Sequence, residues 1–242
     1  MLTRFAPSPT GYLHLGHAYA AARAFEFGHC LLRIEDIDHT RSRPRFRDAI
    51  FRDLRWLGFD WPEPVRVQSG HLADYAGVVA ALGARDLTYD DYTTRRGEAD
   101  MSRPPAIKLS VDRCIDVLGA ASLSFSDRGR DIPVDLRALP DPTLERRDIG
   151  TSYHVAVTHD DALQGITDIV RGTDLFSETG VHRLIQALMG WPEPRYHHHP
   201  LVMETAERKM SKRTGSQTIR SLRDSGMSAT EVLDLAEARA EG

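Results

Sequence analysis

Short apolar segments alternate with amphipathic stripes along the first sixty residues of this chain. Leu2 to Phe5 predicts a buried strand, and Cys30 to Ile34 predicts a second one. Between them a helix is expected from about Gly16 to Phe27. Another helix is predicted from Pro44 to the glycine at position 58. Strands that alternate with helices favour an α/β fold around a parallel sheet.

This pattern is interrupted over residues 84–140, where the segments are short, weakly periodic and separated by turns. We therefore predict a doubly wound parallel core formed by residues 1–83 and 141–200, split by a small α+β insertion at 84–140. Residues 201–242 are expected to form a basic loop and a short helical tail. Within the core, the segments Tyr153–Val157 and Ile166–Val170 are interpreted as strands.

Composition excludes several classes of protein. Hydrophobic residues make up 41% and charged residues 27%, which excludes a wholly disordered chain. No apolar run approaches the roughly 20 residues of a membrane span, so no membrane partner is expected. The two cysteines cannot supply a disulfide framework, which favours a cytoplasmic protein. The protein is also expected to be a monomer. The formal charge of −4 means that any nucleic acid must be bound by local patches.

A turn-rich segment with two histidines follows the first strand. It reads Pro7-Ser-Pro-Thr-Gly-Tyr-Leu-His14-Leu-Gly16-His17 and leads into the first predicted helix. The N-terminus of a helix offers backbone N–H groups to phosphate, and glycine permits close approach of a ligand. Two imidazoles could add hydrogen bonds to phosphoryl oxygens. A turn with incidental histidines is the alternative interpretation.

A very basic segment lies late in the chain and reads Glu207-Arg-Lys209-Met210-Ser211-Lys212-Arg213. The 31 basic residues include only three lysines, and two of these are in this segment. Lysine presents a compact point charge that suits phosphate. A solvated basic loop is the alternative.

Together the two segments resemble the paired signatures of class I aminoacyl-tRNA synthetases. Arg4-Phe-Ala-Pro-Ser-Pro-Thr-Gly11, Arg33-Ile-Glu-Asp-Ile-Asp38 and Val170-Arg-Gly-Thr-Asp-Leu175 are similar to the glutamyl subgroup. Only 29 residues follow Arg213. In this respect the sequence resembles the short paralogues of the subgroup that have no anticodon-binding domain. The resemblance implies a Rossmann-like catalytic fold. It also implies activation of L-glutamate by ATP without tRNA, then transfer of glutamate to queuosine in the anticodon of tRNA(Asp).

The resemblance also implies roles for single residues. By position, the residues that the resemblance assigns to ATP are Pro7, His14, Gly16, His17, Lys209, Met210, Ser211 and Lys212. It implies a catalytic role for the two histidines and the two lysines of this set. Those assigned to glutamate are Arg4, Ala6, Ser8, Glu35, Tyr153 and Arg171. Arginine suits the second carboxylate of this substrate because it binds carboxylates with two parallel hydrogen bonds. Each residue has a structural alternative, and Tyr153 could belong to the core.

Mg²⁺ is expected to accompany ATP, and zinc is predicted to be absent. Family members often hold zinc with a Cys-x-Cys pair, but the matching positions here are Asp91 and Thr93. Asp and Thr are poor replacements for two thiolates at a structural zinc site. Cys30 and Cys114 lie in segments that we interpret as strands elsewhere.

Three other functions stay open from the sequence. A metal hydrolase could use His197-His-His199, although adjacent histidines in a strand face opposite sides, which favours a structural or acceptor-binding role. A ligase that glutamylates another acceptor, and a non-catalytic tRNA-binding protein, are the other two. The arginine-rich stretch Arg41 to Arg55 could be a tRNA patch or the solvated face of a helix.

Overall fold

The computed structural model describes residues 1–94, 97–205, 208–209 and 217–241, of which 204–205, 208–209 and 241 are described by their backbone. The strands are β1 (Leu2–Phe5), β2 (His29–Ile34), β3 (Arg66–Val67), β4 (Thr88–Asp91), β5 (Ala106–Leu109), β6 (Ser122–Asp127), β7 (Arg130–Asp135), β8 (Thr143–Glu145), β9 (Asp168–Gly172), β10 (Arg195–His199), β11 (Met203–Thr205) and β12 (Arg208–Lys209). The α-helices are α1 (Leu15–Phe27), α2 (Pro44–Trp56), α3 (Leu72–Gly83), α4 (Val111–Leu118), α5 (Tyr153–Leu163), α6 (Thr179–Met189), α7 (Ile219–Asp224) and α8 (Ala229–Glu241).

These elements form two compact units. The first unit contains Met1–Ser69, Ile166–Phe176 and Pro194–Gly242. The second unit contains Gly70–Gly165 and Ser177–Glu193. The three-part domain division expected from the sequence stays a prediction.

Parallel strands build the sheet of the first unit. β1 pairs with β2 and β2 with β3, while β9 pairs with β10. Thr167 N donates to Leu2 O at 3.0 Å, so the start of β9 lies beside the start of β1. The strands therefore follow the order β3-β2-β1-β9-β10, in which the direction of winding reverses between β1 and β9. This is the order of a Rossmann-like sheet, and the predicted parallel α/β class is confirmed.

The helix α1 packs on this sheet and against the C-terminal helix α8. Its buried residues include Ala18 and Ala21, whose small side chains permit close packing against the neighbouring elements. An ion pair of 3.1 Å between Arg23 Nη2 and Glu237 Oε2 joins their outer faces. No helix in the described ranges is both long and apolar enough to span a membrane.

A buried carboxylate joins β9 to β10. Asp168 is fully buried and accepts from Arg195 Nε and Nη2, both at 2.8 Å, and from Thr167 Oγ1 at 2.7 Å. His197 Nε2 lies 3.0 Å from its Oδ1. Burial favours the neutral acid, but the hydrogen bonds from these three residues outweigh it and hold the pKa of Asp168 well below its usual range.

Replacing this carboxylate is expected to destabilise the first unit. Asp168→Asn removes the charge that these hydrogen bonds stabilise, while Arg195 is more than half exposed and stays solvated, so the free energy of unfolding at pH 7 should fall by about 2 kcal/mol. The folded pKa is depressed, so the stabilisation by wild-type Asp168 is lost as the pH falls below about 4, the value in the unfolded chain. Urea unfolding at pH 7 and pH 3 checks both points.

The exposed Asp234→Asn on α8 is the matched control and should change stability by less than about 0.5 kcal/mol. A difference between wild type and Asp168→Asn that stays constant from pH 7 to pH 3 would contradict an ionised Asp168.

The second unit combines antiparallel strands with helices. β4, β5 and β8 form one antiparallel sheet, and β6 pairs with β7 as a hairpin. A tight turn joins these last two strands, in which Arg128 and Gly129 have φ values of 51° and 77°. A buried hydrogen bond of 2.9 Å from Tyr75 Oη to Asp160 Oδ2 joins α3 to α5.

Two local predictions are wrong in this unit. The segment Tyr153–Val157 is the first part of α5, not a strand, and Ser152 caps the helix by accepting from Val155 N at 3.4 Å. Buried residues occupy several sides of this helix, so its polarity does not follow a helical period. Cys114 lies in α4, not in a strand, because Ser110 caps a helix directly after β5. Both cysteines are buried free thiols.

Candidate active site

The histidine segment lies at the point where the winding of the sheet reverses. It follows the carboxyl end of β1, next to β9, whose carboxyl end carries Arg171 and Gly172. In open α/β sheets, ligands bind in the crevice outside the carboxyl ends of the strands at this position. The histidine segment therefore lies where open α/β sheets bind their ligands.

His14 and His17 cap the N-terminus of α1 reciprocally. His14 Nδ1 accepts from Gly16 N at 3.2 Å, and His17 Nδ1 accepts from His14 N at 3.2 Å. An imidazole nitrogen that accepts an N–H bears no proton, so each neutral ring carries its proton on Nε2. The ring centroids are 3.9 Å apart. The arrangement gives two Nε2–H donors at the positive end of a helix, where an anion is favoured.

Gly16 lies tightly against this cap. A Cβ at position 16 would lie 3.0 Å from Cε1 of the His14 ring and 3.1 Å from its Nδ1. A side chain at this position would therefore require the imidazole to shift by a few tenths of an ångström. The close approach of Gly16 to the nucleotide stays a prediction.

Backbone hydrogen bonds fix the loop that precedes the histidines. Pro7 O accepts from Glu35 N at 3.2 Å, which joins the loop after β1 to the end of β2. Pro9 O accepts from Arg43 N at 3.0 Å, just before α2. Of the predicted glutamate contacts in this region, Ala6 and Ser8 are half-buried, as is Glu35. They lie together on segments at the carboxyl ends of two neighbouring strands.

The two arginines predicted to bind glutamate are both in the first unit. Arg4 lies in β1 and is 5% exposed, and Arg171 lies in β9 and is 6% exposed. Since charged side chains are rarely buried without partners, such positions favour a specific role over a surface role. Neither Arg4 nor Arg171 is therefore an ordinary surface arginine.

Contacts from β10 and the chain after β9 position Arg171. Its Nε donates to His198 Nε2 at 3.1 Å, and one Nη donates to Leu175 O at 3.1 Å. The guanidinium lies over the Tyr196 ring, 5.1 Å from the centroid. The sequence did not assign these roles to Tyr196 and His198, because they follow from the pairing of β9 with β10.

The three histidines of β10 alternate as the strand pleat requires. His198 lies opposite Arg171 in the parallel register, whereas His197 points to the other face and contacts Asp168. No group of three or more His, Cys, Asp or Glu side chains suited to a metal ion is found in the part of the chain that the structure describes. His198 thus positions an arginine, in agreement with the predicted structural role.

Both sides of the lysine segment adjoin the histidine loop. Thr218 forms an antiparallel bridge with His14, and Ile219 N donates to Leu13 O at 2.8 Å. On the other side, Val202 Cβ lies 3.8 Å from where a Cβ of Gly16 would be. The backbone of Lys209 pairs with Met203 in β12 and β11. Met210, Ser211 and Lys212 lie outside the described residues.

Tyr153 is the one predicted glutamate contact that belongs to the second unit. It is the first residue of α5 and its ring centroid lies 5.5 Å from that of His182. His154 Nδ1 lies 3.2 Å from His182 Nε2, and His154 Nε2 lies 3.5 Å from Glu178 Oε2. Tyr153 therefore begins a buried helix and lies against a pair of histidines.

The positions aligned with the zinc-binding cysteines have other partners here. Asp91 Oδ1 accepts from Thr93 N at 2.9 Å, and Oδ2 lies 3.1 Å from Lys108 Nζ. The hydrogen bonds from Thr93, together with Lys108, lower the pKa of Asp91 to about 2. The absence of zinc stays a prediction.

Comparison with known proteins identifies the family. The sequence family described as tRNA synthetases class I (E and Q), catalytic domain, matches residues 1–103 and 123–237. The chain belongs to this family. It is accordingly a ligase of the class I synthetases, and the predicted family resemblance is confirmed.

Individual relatives of this class I synthetase differ in how much of their length it covers. Glutamyl-Q tRNA(Asp) synthetase of Rhodobacter capsulatus is 36% identical over 96% of this chain and 98% of the relative. Glutamate--tRNA ligase 2 of Dinoroseobacter shibae is 34% identical, and the match covers 60% of it. A crystal structure of a glutamate tRNA ligase from Elizabethkingia meningosepticum, in complex with its amino acid, aligns with a TM-score of 0.68 at 25% identity. That alignment covers 94% of this chain and 53% of the other.

Proposed function

We propose that this chain activates L-glutamate with ATP to glutamyl-adenylate in the absence of tRNA, and then transfers glutamate to queuosine in the anticodon of tRNA(Asp). The observation that carries the choice of acceptor is the match over 98% of a relative named Glutamyl-Q tRNA(Asp) synthetase. The capped histidine loop at the carboxyl end of β1 supports the nucleotide chemistry.

The first step needs no general base. The α-carboxylate of glutamate is already ionised at neutral pH, so one of its oxygens attacks the α-phosphorus of ATP directly. The bond from that phosphorus to the bridging oxygen breaks, and pyrophosphate leaves with the electron pair. In the second step a hydroxyl of the acceptor attacks the glutamyl carbonyl carbon, and AMP leaves. Catalysis of such transfers consists of positioning and charge stabilisation.

The histidine loop would stabilise the negative charge on the phosphates. The Nε2–H groups of His14 and His17 are donors that the reciprocal cap holds in place. Donors that are fixed before the reaction need no reorganisation when charge develops. Pro7 and Gly16 would contact the nucleotide from the same loop.

The lysine segment would neutralise the departing pyrophosphate. This role is proposed for Lys209 and Lys212, with Met210 and Ser211 beside them. Support comes from the bridge between Thr218 and His14, which joins the end of this segment to the histidine loop. Mg²⁺ would enter with ATP, as part of that substrate, and screen the charge of its phosphates.

Buried cations would select the substrate. Arg4 and Arg171 would bind the side-chain carboxylate of glutamate, and Glu35 would pair with its ammonium group. Ala6, Ser8 and Tyr153 would complete the contacts with the amino acid. Because both arginines are buried, their hydrogen bonds to a carboxylate are stronger than they would be in water.

Two assays test the proposal. Glutamate-dependent exchange between ATP and pyrophosphate should proceed without tRNA. Transfer of [¹⁴C]glutamate should then label tRNA(Asp) that carries queuosine, and not the same tRNA with unmodified guanosine. Labelling of tRNA(Glu), or equal labelling of both forms of tRNA(Asp), would overturn the acceptor. Absence of exchange would overturn the activation step, as expected for a non-catalytic binding protein.

His198 is expected to act through Arg171. His198→Leu removes the acceptor for Arg171 Nε, a hydrogen bond of the charge-assisted type worth about 1.5–3 kcal/mol. The KM for glutamate should therefore rise about 10- to 100-fold in pyrophosphate exchange, with a smaller change in the KM for ATP. His198→Gln keeps an acceptor oxygen and should recover most of the affinity for glutamate.

A merely structural role of His198 would give a different pattern. In that case both variants would lose thermal stability together, and KM would change equally for glutamate and ATP. Failure of His198→Gln to bind glutamate better than His198→Leu would contradict the positioning role.

A further inference from the structure

A separate polar pocket lies between α2 and α7 in the first unit. It has a volume of about 210 Å³. The side chains that line it are those of Tyr12, Arg45, Asp48, Ala49, Arg52, Asp53, Arg220 and Arg223. A cavity needs roughly 10–15 Å³ to hold one water, so this pocket has room for a larger polar group.

The helical period explains how α2 forms one wall. Arg45, Asp48 or Ala49, and Arg52 are separated by three or four residues and so share one face of the helix. Ala49 is buried and small, which leaves space between the two long arginines. The arginine-rich stretch of the sequence thus has one face that lines a cavity, besides its solvated face.

Aromatic and ionic contacts hold the other side of the pocket. Arg223 Nη1 lies 2.9 Å from Asp53 Oδ1, which fixes α7 to α2. The Arg220 guanidinium carbon lies 5.6 Å from the centroid of the Tyr12 ring, and Tyr12 packs edge-on against Phe46 at 5.0 Å. Two cations are therefore positioned before any ligand binds, which lowers the ordering cost of binding.

The pocket has an excess of positive charge on a chain whose formal charge is −4. Four arginines and two aspartates line it; Arg223 is paired with Asp53, and Arg220 lies 3.5 Å from Asp224, which is outside the lining. Within the described ranges of the chain, neither Arg45 nor Arg52 forms an ion pair with a carboxylate. Their charges are left to attract an anion from solution.

The size of the pocket selects among anions. Pockets that enclose a whole small-molecule ligand measure about 300–1,000 Å³, and this pocket is smaller. A single tetrahedral phosphate within a longer chain needs only local space, and guanidinium groups bind phosphate with two parallel hydrogen bonds. Tyr12 also lines the pocket, and aromatic side chains commonly stack on the nucleosides that adjoin a bound phosphate.

We propose that this arginine pocket binds a backbone phosphodiester of the tRNA acceptor. The inference rests on the proposed function, since it requires that the substrate is a tRNA. Tyr12 belongs to the loop that also carries His14, so a phosphate bound here would hold the nucleic acid next to the loop that serves the nucleotide.

The test measures how tRNA affinity depends on salt. For Arg45→Gln/Arg52→Gln, the Kd for queuosine-containing tRNA(Asp) should rise about five- to eightfold at 0.1 M NaCl. The slope of log Kd against log salt should fall by about 0.7–0.9, the value for one lost phosphate contact. Arg41→Gln/Arg55→Gln is the matched control, because it removes two exposed arginines of the same stretch that do not line the pocket.

A second variant gives an effect that misfolding cannot produce. Asp48→Asn removes a negative charge from the pocket wall and should tighten tRNA binding and increase the salt slope. Pyrophosphate exchange, measured on the same preparations without tRNA, separates adenylate formation from tRNA binding.

Three outcomes would contradict the proposal that this pocket binds a phosphodiester. Equal weakening by the pocket variant and its control would indicate diffuse attraction, with no phosphate site. If the salt slope is unchanged in Arg45→Gln/Arg52→Gln and the variant still binds and glutamylates tRNA, the pocket does not bind a phosphate. That result would not contradict the proposed function. A wild-type chain that binds no tRNA would overturn both.

Discussion

Replacing Arg171 with alanine is expected to abolish most of the activity toward glutamate. Truncating one partner of a buried, hydrogen-bonded charge pair costs about 2–5 kcal/mol, so kcat/KM for glutamate should fall roughly 30- to 5,000-fold in pyrophosphate exchange. The cost is high because Arg171 is buried. Its removal would leave the carboxylate of the bound substrate desolvated without a countercharge. Titration of glutamate at saturating ATP measures it.

The geometry of the guanidinium adds a second expectation for this residue. Arg171→Lys keeps the charge but lacks the planar fork, so it should recover only part of the lost activity. Preference for glutamate over glutamine should fall in the alanine variant, because the discriminating charge has gone. The exposed Arg130→Ala, far along the chain in β7, is the matched control and should retain wild-type exchange.

Full activity in Arg171→Ala would show that another residue binds the substrate side chain. A loss of thermal stability that accounts for the loss of exchange would assign Arg171 to the core instead. Melting temperatures of the three variants distinguish these cases.

Removing either Nε2–H donor from the histidine loop should lower kcat for adenylate formation about 10²- to 10³-fold, the usual effect of losing one oxyanion donor. The structure allows this role to be separated from helix capping. Serine is a good N-cap residue, and glutamate at the third helical position completes a capping box. His14→Ser and His17→Glu should therefore keep the cap of α1 and lose the Nε2–H donor, because the serine side chain is too short to replace it and a carboxylate only accepts hydrogen bonds.

The alanine variant provides the comparison. His14→Ala loses the cap as well, which should cost about 1 kcal/mol and lower Tm by about 2–4 °C relative to His14→Ser. Exchange kinetics and thermal melts of the three variants measure the two effects independently. If His14→Ser and His17→Glu keep wild-type kcat, the histidines serve only as caps.

Local patterns predicted most of the first unit. The boundaries of β1, β2 and α1 agree with the expectations to within one residue at most ends, because each element has a clear apolar period and a terminating residue. A serine followed three residues later by a glutamate is likewise a local pattern, and Ser228 and Glu231 form a capping box in which Ser228 N donates to Glu231 Oε2 at 2.8 Å. Such features depend only on near neighbours in the chain.

At α5 the sequence pattern predicted the wrong element, because long-range packing determines which residues are buried there. A helix that is buried on several sides carries apolar and polar residues without a helical period, and its alternation resembled a strand. Cys114 was misassigned for a related reason, since the serine at position 110 ends one element and begins another within a single residue.

By itself the sequence determined the class of fold, the histidine and lysine segments, and the arginines that suit a dicarboxylate, because these depend on residue type and spacing. Tertiary structure decided which groups meet. Only the parallel register of β9 with β10 brings His198 to Arg171, and only the approach of α7 to α2 turns scattered arginines into a pocket. Pairing between distant segments depends on packing over the whole unit, and no local pattern encodes it.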